Sequence, residues 1–272
     1  MLNLPDELTE IGAAFMDCSG LEKIFIPKNV SHITINLFLG CKSLSAIEVD
    51  ADNPYFDSRN NCNAIVNSAT DEIIAGCCNT IIPEDIISIG IYSFTGSGIS
   101  NIYIPANVES IGDYAFCNCD RLESVSIDNG KVKMGRSIFS GCINLQDVNL
   151  PEGLTTLSAS TFNNCVKLTA ISIPNSVVTI GSWAFANTGL EQIEIPYGVK
   201  TIEDYAFHHC ALTNIILPSS LISIGYNSFS SNPISYENGS MTSYMKEPIA
   251  IKWFDSVYGH STVYVPYGTV DK

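Results

Sequence analysis

Residues 203–214 read EDYAFHHCALTN and place two histidines and a cysteine side by side, at His208, His209 and Cys210. Imidazole and thiolate are common ligands of Zn²⁺, and a Cys–His pair is also the arrangement of a nucleophilic enzyme. Either chemistry needs further groups that converge on the same point. Whether these three residues form a site therefore depends on the structural element that carries them.

This stretch belongs to a repeat that extends over most of the chain. Endings such as LEKIFIP, SNIYIP, LTAISIP and LTNIILP recur, and from Pro83 to Pro218 the steps are 22, 23, 23, 23, 22 and 22 residues, with Asp128 in place of one proline. The unit reads L-x-x-I-x-I-P-x-x-V-x-x-I-G-x-x-A-F-x-x-C. Its phenylalanines are Phe15, Phe38, Phe94, Phe116, Phe139, Phe162, Phe185, Phe207 and Phe229.

Each unit is typical of one coil of a solenoid. The segment L-x-x-I-x-I-P alternates as a half-buried strand does, and proline ends the strand because it has no N–H to donate. The segment I-G-x-x-A-F has helical spacing, so its apolar residues could share one inward face. One unit cannot bury its apolar side alone, whereas stacked units can. We predict a repeat solenoid with a short parallel β-sheet on the concave face and short helices or turns on the other side.

Two columns of the repeat decide the interpretation of the His–His–Cys stretch. The residue two after each Phe is Gly, Asn, Asp, His or Ser, and most of these types tolerate a left-handed backbone. The next residue is mostly Cys, Ser, Thr or Asn, which indicates a small side chain in a tight corner. His209 is then a turn residue, His208 lies on the surface and Cys210 is part of the core. This interpretation is favoured over a metal site or a nucleophile.

The same columns make two structural predictions. Positive φ is expected at Asp17, Asn118, Asn164, Asn187 and His209, but not at Thr34, Ser158 and Glu203, which replace the Gly of I-G. Buried free thiols are expected at Cys18, Cys41, Cys119, Cys142, Cys165 and Cys210.

Residues 50–82 depart from the period by about eleven residues, since 33 residues separate Asp50 from the next strand-ending proline. The segment CNAIVNSATDEIIAGC predicts a β-hairpin. Pairing Val66 with Ile73 would place Cys62 opposite Cys77, although Cys77 also occupies a Leu column. We expect the hairpin to project from the solenoid, where a binding role and a packing or capping role are equally plausible.

The stretch DADNPYFDSRNN at residues 50–61 is acidic and rich in Asn, which raises the possibility of calcium. It does not follow the EF-hand pattern, because Pro54, Tyr55 and Asn61 occupy its fifth, sixth and twelfth positions. Turns that lead into the hairpin are the preferred interpretation. No metal and no cofactor is predicted for the chain.

Composition narrows the function classes. The net charge of −15 disfavours nucleic acid and anionic lipid, both of which need Lys and Arg. No apolar run approaches the ~20 residues of a membrane helix, so membrane insertion is not expected. The sequence has no Gly-rich phosphate loop, no G-x-S-x-G and no H-E-x-x-H, so no enzyme is predicted. MLNLPDELTE lacks the basic and apolar segments of a signal peptide.

The C-terminal tail is rich in aromatic residues. They could form a carbohydrate platform, but covering the open end of the last coil is the preferred role. These residues are Tyr236, Tyr244, Trp253, Phe254, Tyr258, Tyr264 and Tyr267.

The repeat resembles a known family. The units IPNSVVTIGSWAFANTGLEQIEIP and LPEGLTTLSASTFNNCVKLTAISIP are similar to BspA-like leucine-rich repeats, a bacterial class with Phe and Cys at these places. The resemblance covers nearly the whole chain, and the insertion and the tail also resemble segments of such proteins. It implies a leucine-rich-repeat solenoid that is exposed on the cell surface or secreted and that acts in adhesion and protein binding. It implies no catalytic residue.

We interpret residues 1–272 as a single leucine-rich-repeat domain. Its predicted parts are the N-terminal coils at 1–49, a coil with the hairpin insertion at 50–82, regular repeats of 22–23 residues at 83–232 and a C-terminal capping region at 233–272.

The predicted function is a non-enzymatic binding scaffold of the adhesin type outside the cell, whose partner is a host or bacterial surface protein. A glycan-binding module and a passive spacer that displays another domain are the alternatives. The residues expected to line the concave face are Lys23, Phe25, Asn101, Tyr103, Ser124, Ser126, Asp147, Asn149, Ser172, Gln192, Glu194, Asn214 and Ile216.

Overall fold

The computed structural model describes residues 2–213 and 215–234. These residues form short β-strands, one 3₁₀ helix at Arg59–Asn61 and no α-helix. The strands are β1 (Leu2–Asn3), β2 (Glu10–Ile11), β3 (Lys23–Ile26), β4 (His32–Ile33), β5 (Ala46–Val49), β6 (Phe56–Asp57), β7 (Ala64–Asn67), β8 (Glu72–Gly76), β9 (Ser88–Ile89), β10 (Asn101–Ile104), β11 (Ser110–Ile111), β12 (Ser124–Ile127), β13 (Lys133–Met134), β14 (Asp147–Asn149), β15 (Thr156–Leu157), β16 (Thr179–Ile180), β17 (Thr201–Ile202) and β18 (Ser223–Ile224).

The strands stack into two parallel ladders on different sides of the coils. The L-x-x-I-x-I segments form the sheets β1-β3-β5 and β10-β12-β14, and the outward side of this ladder is called the strand face below. The V-x-x-I segments form the sheets β2-β4 and β15-β16-β17-β18 and the parallel strands β9, β11 and β13 of the sheet β13-β11-β9-β8-β7-β6. The insertion supplies the other three strands of that sheet, and β6, β7 and β8 pair with one another antiparallel. The register repeats the sequence period, as in the row Ile102, Val125 and Val148. Inward side chains of both ladders fill the core between them.

The Phe-bearing segment is a run of turns, so the predicted short helices are wrong. In eight coils the residue two before Phe has positive φ, for example 57° at Tyr114 and 60° at Trp183, and a left-handed residue cannot continue a right-handed helix. Alternate N–H groups therefore lie along the solenoid axis. Phe116 N donates to the carbonyl of Ile138 in the next coil at 2.9 Å, and Asn118 N donates to Ser140 O at 2.7 Å.

The phenylalanine column forms a continuous stack in the C-terminal part of the described chain. From Phe94 to Phe229, neighbouring ring centroids lie 4.7 to 5.7 Å apart and the rings are within 19° of parallel. Successive coils bring each ring to the same position, so neighbouring rings face each other. Because the central rings are fully buried, this stack is a major part of the core.

The backbone conformation of the two analysed columns is confirmed. Positive φ occurs at Asp17, Asn118, Asn164, Asn187 and His209, and it does not occur at Thr34, Ser158 or Glu203.

The glycine of the I-G step allows two coils to pack closely. A Cβ atom on Gly112 would lie 2.6 Å from the backbone nitrogen of Ile91 in the preceding coil. The glycine therefore permits close approach of two coils, and it does not supply a left-handed turn.

Polar side chains that follow the strand-ending Pro or Asp also connect the coils, which the sequence pattern did not reveal. Asn129 Nδ2 donates to Val108 O at 2.8 Å, and Ser220 Oγ donates to Val199 O at 2.9 Å. Each side chain satisfies a carbonyl of the preceding coil, where a tight bend leaves that carbonyl without a backbone partner in its own coil.

The hairpin of β7 and β8 does not project from the solenoid. β8 pairs in parallel with β9, so the hairpin continues the second ladder. Both faces of the hairpin are buried: Val66 and Ile73 belong to the large C-terminal core, and Ile65 and Ala75 belong to a smaller N-terminal core. The insertion therefore separates two cores and packs against each of them.

The predicted register of the hairpin is correct at the turn and wrong further away. Val66 lies opposite Ile73, but a β-bulge then shifts the pairing by one residue, so that Ile65 lies opposite Ala75. A bulge places two residues of one strand against one residue of its partner. Such a shift cannot be seen in the alternation of apolar residues.

The bulge also separates Cys62 from Cys77. The thiol of Cys77 donates to Asn63 O at 3.2 Å, and the two cysteines are buried in different cores as free thiols. The predicted pairing of Cys62 opposite Cys77 is therefore wrong.

Gly76, the last residue of β8, lies directly below the first ring of the long phenylalanine stack. Gly76 N donates to Ser93 O at 2.9 Å, and a Cβ atom on Gly76 would overlap the ring of Phe94. The hairpin thus replaces the Phe-bearing turn of its coil with a flat backbone surface. Phe15 and Phe38 form a separate pair, with centroids 6.2 Å apart.

We expect Gly76→Ala to destabilise the protein, because the added methyl group has no space between the backbone and a fully buried ring. Overpacking of this kind costs roughly 1–3 kcal/mol of the free energy of unfolding. Gly20→Ala is the matched control, since its Cβ would meet no atom within 4 Å. Urea unfolding should show a lower midpoint for Gly76→Ala only, and equal midpoints for both variants would contradict the packing described above.

We expect Phe162→Ala to be far more destabilising than Phe15→Ala. Phe162 is fully buried between two stacked rings, whereas Phe15 is half-buried and has one ring neighbour. Removing a buried Phe costs ~3–5 kcal/mol through transfer and cavity terms. Denaturant midpoints at unchanged slope measure the difference, and similar losses at both positions would argue against a stacked array.

Candidate functional site

The His–His–Cys stretch forms part of a turn, and its side chains point to different surroundings. His208 is half-buried, not on the surface as predicted, and its Nδ1 lies 2.7 Å from Ser230 Oγ. Burial lowers the pKa of His208, which favours the neutral imidazole. His209 is exposed with φ of 53°, and the Cys210 thiol donates to Phe185 O at 3.1 Å.

The cysteine column serves the contact between coils. Cys142 Sγ donates to Phe116 O and Cys165 Sγ donates to Phe139 O, each at 3.1 Å, and Asn232 Nδ2 donates to Phe207 O at 2.8 Å in the same way. A small side chain with one donor fits this place, which explains why Cys alternates with Asn, Ser and Thr. The column cysteines are free and buried as predicted, except that Cys18 is half-buried. Within residues 2–213 and 215–234, no cluster of His, Cys, Asp and Glu is arranged to hold a metal ion.

The strand face brings together six of the residues predicted for it. β10, β12 and β14 align Asn101, Ser124 and Asp147 in one row and Tyr103, Ser126 and Asn149 in a second row. Their side chains alternate with the inward side chains of these strands and point away from the core.

The other predicted residues lie further along the same face. Lys23 and Phe25 are on β3, Glu194 and Ile216 form a single parallel bridge, and Ser172 and Gln192 are exposed. Asn214 and the aromatic residues of the tail lie outside the described residues.

Hydrogen bonds hold the two rows in place. Ser124 Oγ donates to Asn101 Oδ1 at 2.7 Å, and Asn149 Nδ2 donates to Ser126 Oγ at 3.2 Å. Each of these hydrogen bonds joins a side chain of one coil to a side chain of the neighbouring coil. The rows therefore present polar groups in a defined arrangement rather than as independent flexible side chains.

The rows line an open cavity of about 650 Å³, to which Thr80 and Ile81 also contribute. The sequence analysis did not assign these two residues to the face, although CCNTIIP has the spacing of L-x-x-I-x-I-P and Pro83 is in phase with the later repeats. Ile81 is 74% exposed and Tyr103 is 50% exposed. Ile81 and Tyr103 stand at one end of this cavity.

A second open cavity of about 680 Å³ continues along the face. Ser172, Glu194 and Asp147, all predicted, line it together with Thr169 and Asn175. Asp147 lines both cavities and lies between them.

Tyr103 carries the most distinctive contact of the strand face. Its hydroxyl donates to Asp128 Oδ2 at 2.6 Å. This hydrogen bond is the main cause that raises the pKa of the phenol, and desolvation and the charges of Asp128 and Glu84 act in the same direction. The hydrogen bond fixes the direction of the ring from its outer end.

The repeat, the ladders and the turn columns agree with a family described as BspA type leucine rich repeat region, which matches residues 1–70, 75–190 and 178–247 in six copies. The chain belongs to this family. The fold is accordingly a leucine-rich-repeat solenoid, as the sequence predicted.

Solved bacterial structures share the fold of this BspA-type chain. A leucine-rich repeat protein from Bacteroides ovatus is 27% identical with a TM-score of 0.63, over 85% of this chain and 60% of that one. A leucine-rich repeat protein from Eubacterium ventriosum is 24% identical with a TM-score of 0.58, over 87% of this chain and 65% of that one. A leucine rich cell surface protein from Faecalibacterium prausnitzii is 22% identical with a TM-score of 0.50, over 87% of this chain and 60% of that one.

The present chain thus spans less than two thirds of the length of these three proteins. No curated protein matches the chain significantly. Among the described residues, no helix has the length and apolar character needed to cross a membrane.

We expect the buried cysteines to be unreactive in the folded protein. Burial raises the pKa of Cys41 and Cys77 to about 11 and raises that of Cys165 further, so little thiolate forms at pH 8. Iodoacetamide with mass spectrometry should label these positions slowly in buffer and all ten cysteines in denaturant without reductant. Fewer than ten labelled residues in denaturant would show disulfides and contradict the assignment.

Proposed function

We propose that this BspA-type chain is a non-enzymatic binding scaffold that contacts a protein through the strand face. The observation that carries the proposal is the pair of exposed side-chain rows on β10, β12 and β14, held in register by hydrogen bonds between coils. A broad surface of fixed polar groups with two exposed apolar side chains suits a large partner. A small molecule needs a more enclosing pocket.

We further propose that the strand face is the concave side of the solenoid and that the chain acts outside the cell, in an adhesin-type role. The family and the printed description of the Faecalibacterium relative as a cell surface protein support this placement. The partner would be a host or bacterial surface protein. The net charge of −15 favours a partner with a basic patch and disfavours nucleic acid.

A glycan-binding module and a passive spacer are the competing functions. Glycan binding usually relies on clustered aromatic rings, and among the described residues predicted for the face only Phe25 and Tyr103 are aromatic, on separate sheets. A spacer would not need side chains arranged in register. The binding scaffold therefore has the stronger support.

Comparison of two arginine variants tests the proposal. Asn149→Arg places a large side chain in the middle of the strand face, whereas Thr156→Arg makes the same change at an exposed position of the second ladder. Immobilised wild-type protein and both variants would be tested against purified bacterial and host surface proteins and a glycan array. We expect a protein partner whose affinity falls at least tenfold with Asn149→Arg and is unchanged with Thr156→Arg.

Three outcomes would overturn the proposal. Binding to glycans alone would favour the glycan module, and equal effects of both variants would remove the strand face as the binding surface. Turnover in a panel of hydrolase substrates that one point mutation abolishes would show an enzyme.

A further inference from the structure

The cavity between β10 and β14 has an apolar end formed by Ile81 and Tyr103. The two residues occupy the same position of the L-x-x-I-x-I-P unit in consecutive coils, and they are 74% and 50% exposed. The corresponding residues in the next two coils are Ser126 and Asn149, which are small and polar. A partner that lies across the cavity therefore contacts an aliphatic side chain and an aromatic ring at one end and hydrogen-bonding groups further along.

The aromatic ring is held from its outer end and remains open to solvent. Tyr103 is tied to Asp128 by the 2.6 Å hydrogen bond from its hydroxyl, which leaves the faces of the ring as its available surface. A phenol that donates to a carboxylate has an electron-rich ring, and cations are attracted to the face of such a ring. Arg contacts rings in this way more often than Lys does, because its guanidinium is flat and weakly hydrated.

The carboxylates of the cavity and of the Tyr103 hydroxyl form no ion pair within the part of the chain that the structure describes. Asp147 lines the cavity, Asp128 holds the Tyr103 hydroxyl, and the charge of Glu84 reaches the same phenol. Among residues 2–213 and 215–234, none of these three carboxylates takes part in an ion pair. No Lys, Arg or His of the same residues lines the cavity.

The hairpin provides a contrast within the same molecule. There, Arg59 pairs with Asp57, Asp71 and Asp85, at 2.8, 2.6 and 3.3 Å, so the negative charge of the group is partly compensated. At the Tyr103 cavity the described residues form no such ion pair, in a chain whose net charge is −15. Charge complementarity there calls for a basic ligand.

We propose that this cavity binds an arginine side chain from an extended segment of a partner protein. The guanidinium lies on the ring of Tyr103 and donates to Asp128, and an apolar side chain two residues before the arginine packs on Ile81, because alternate side chains of an extended segment share one face. Asp147 lies two strand spacings from β10, about 9.6 Å, which suits a second basic residue of the segment. This proposal rests on the proposed function, since it names the chemistry of the partner at the strand face.

Short peptides test this chemistry directly. The probes are acetyl-Ile-Gly-Arg-Ser-Arg-Gly-amide, in which Ile and both arginines share one face of an extended chain, the same peptide with citrulline in place of both arginines, and the same peptide with lysine in their place. Citrulline keeps the shape of arginine and removes its charge. Dissociation constants would be measured by NMR titration of the full chain at 20 mM and 300 mM salt.

We expect the arginine peptide to bind at least tenfold more tightly than the citrulline peptide and more tightly than the lysine peptide. Affinity should decrease at the higher salt concentration, because exposed charges are screened. Equal affinity of the arginine and citrulline peptides, or no binding of either, would overturn the proposal.

Matched variants locate the binding. Tyr103→Ala should weaken the arginine peptide by about fivefold, and Tyr103→Phe should retain most of the affinity because the ring remains. Tyr197→Ala is the control, since Tyr197 is 73% exposed and lies in another coil. Because both tyrosines are exposed, unfolding midpoints should stay near that of the wild type. A Tyr197→Ala effect as large as that of Tyr103→Ala would overturn the assignment.

The two proposals can fail separately. If a protein partner is lost with Asn149→Arg and binds Tyr103→Ala normally, the binding scaffold stands and the arginine site is wrong. If no partner depends on Asn149→Arg, the proposed function fails, and binding of the arginine peptide alone would not rescue it.

Discussion

The structure depends on one constraint: each coil forms most of its backbone hydrogen bonds with a neighbouring coil. The strand segments do so by parallel pairing, and the turns do so because left-handed residues direct alternate N–H groups along the solenoid axis, as at Phe116 and Asn118. A coil without neighbours would leave these groups unpaired. The repeat keeps a period of 22–23 residues because the N–H and carbonyl groups of each coil must lie opposite the equivalent groups of the next coil.

The identities of the column residues follow from the same constraint. The Cys142 thiol bonds to a carbonyl of the preceding coil, Gly112 allows two backbones to approach, and the Phe rings fill the space that the turns enclose. Residues that resemble a chemical site in a short stretch of sequence thus have an ordinary structural purpose. The His–His–Cys stretch is the clearest case, because its three side chains have three different surroundings.

Residues free of this constraint are those that point outward from the ladders, and binding is proposed there for that reason. The hairpin illustrates the opposite case. The sequence predicted that it would project, with a binding role and a packing or capping role equally plausible, yet it is buried on both sides and ends at Gly76 beneath the Phe94 ring. Its β8 ends where other coils have a Phe-bearing turn, and the strand segment that follows places Ile81 beside Tyr103 on the strand face. An insertion can therefore shape a surface without forming part of it.

The sequence by itself determined the repeat, the strands, the left-handed turn column and the buried thiols, because these are periodic and every copy repeats the same physical requirement. Only the tertiary structure decided three other points. The turns are not helices, since positive φ at bulky residues such as Tyr114 and Trp183 is chosen by bonds to the next coil and not by local propensity. A bulge sets the register of the hairpin. The cavity at Tyr103 arises from side chains of several coils, whose grouping no single stretch of sequence contains.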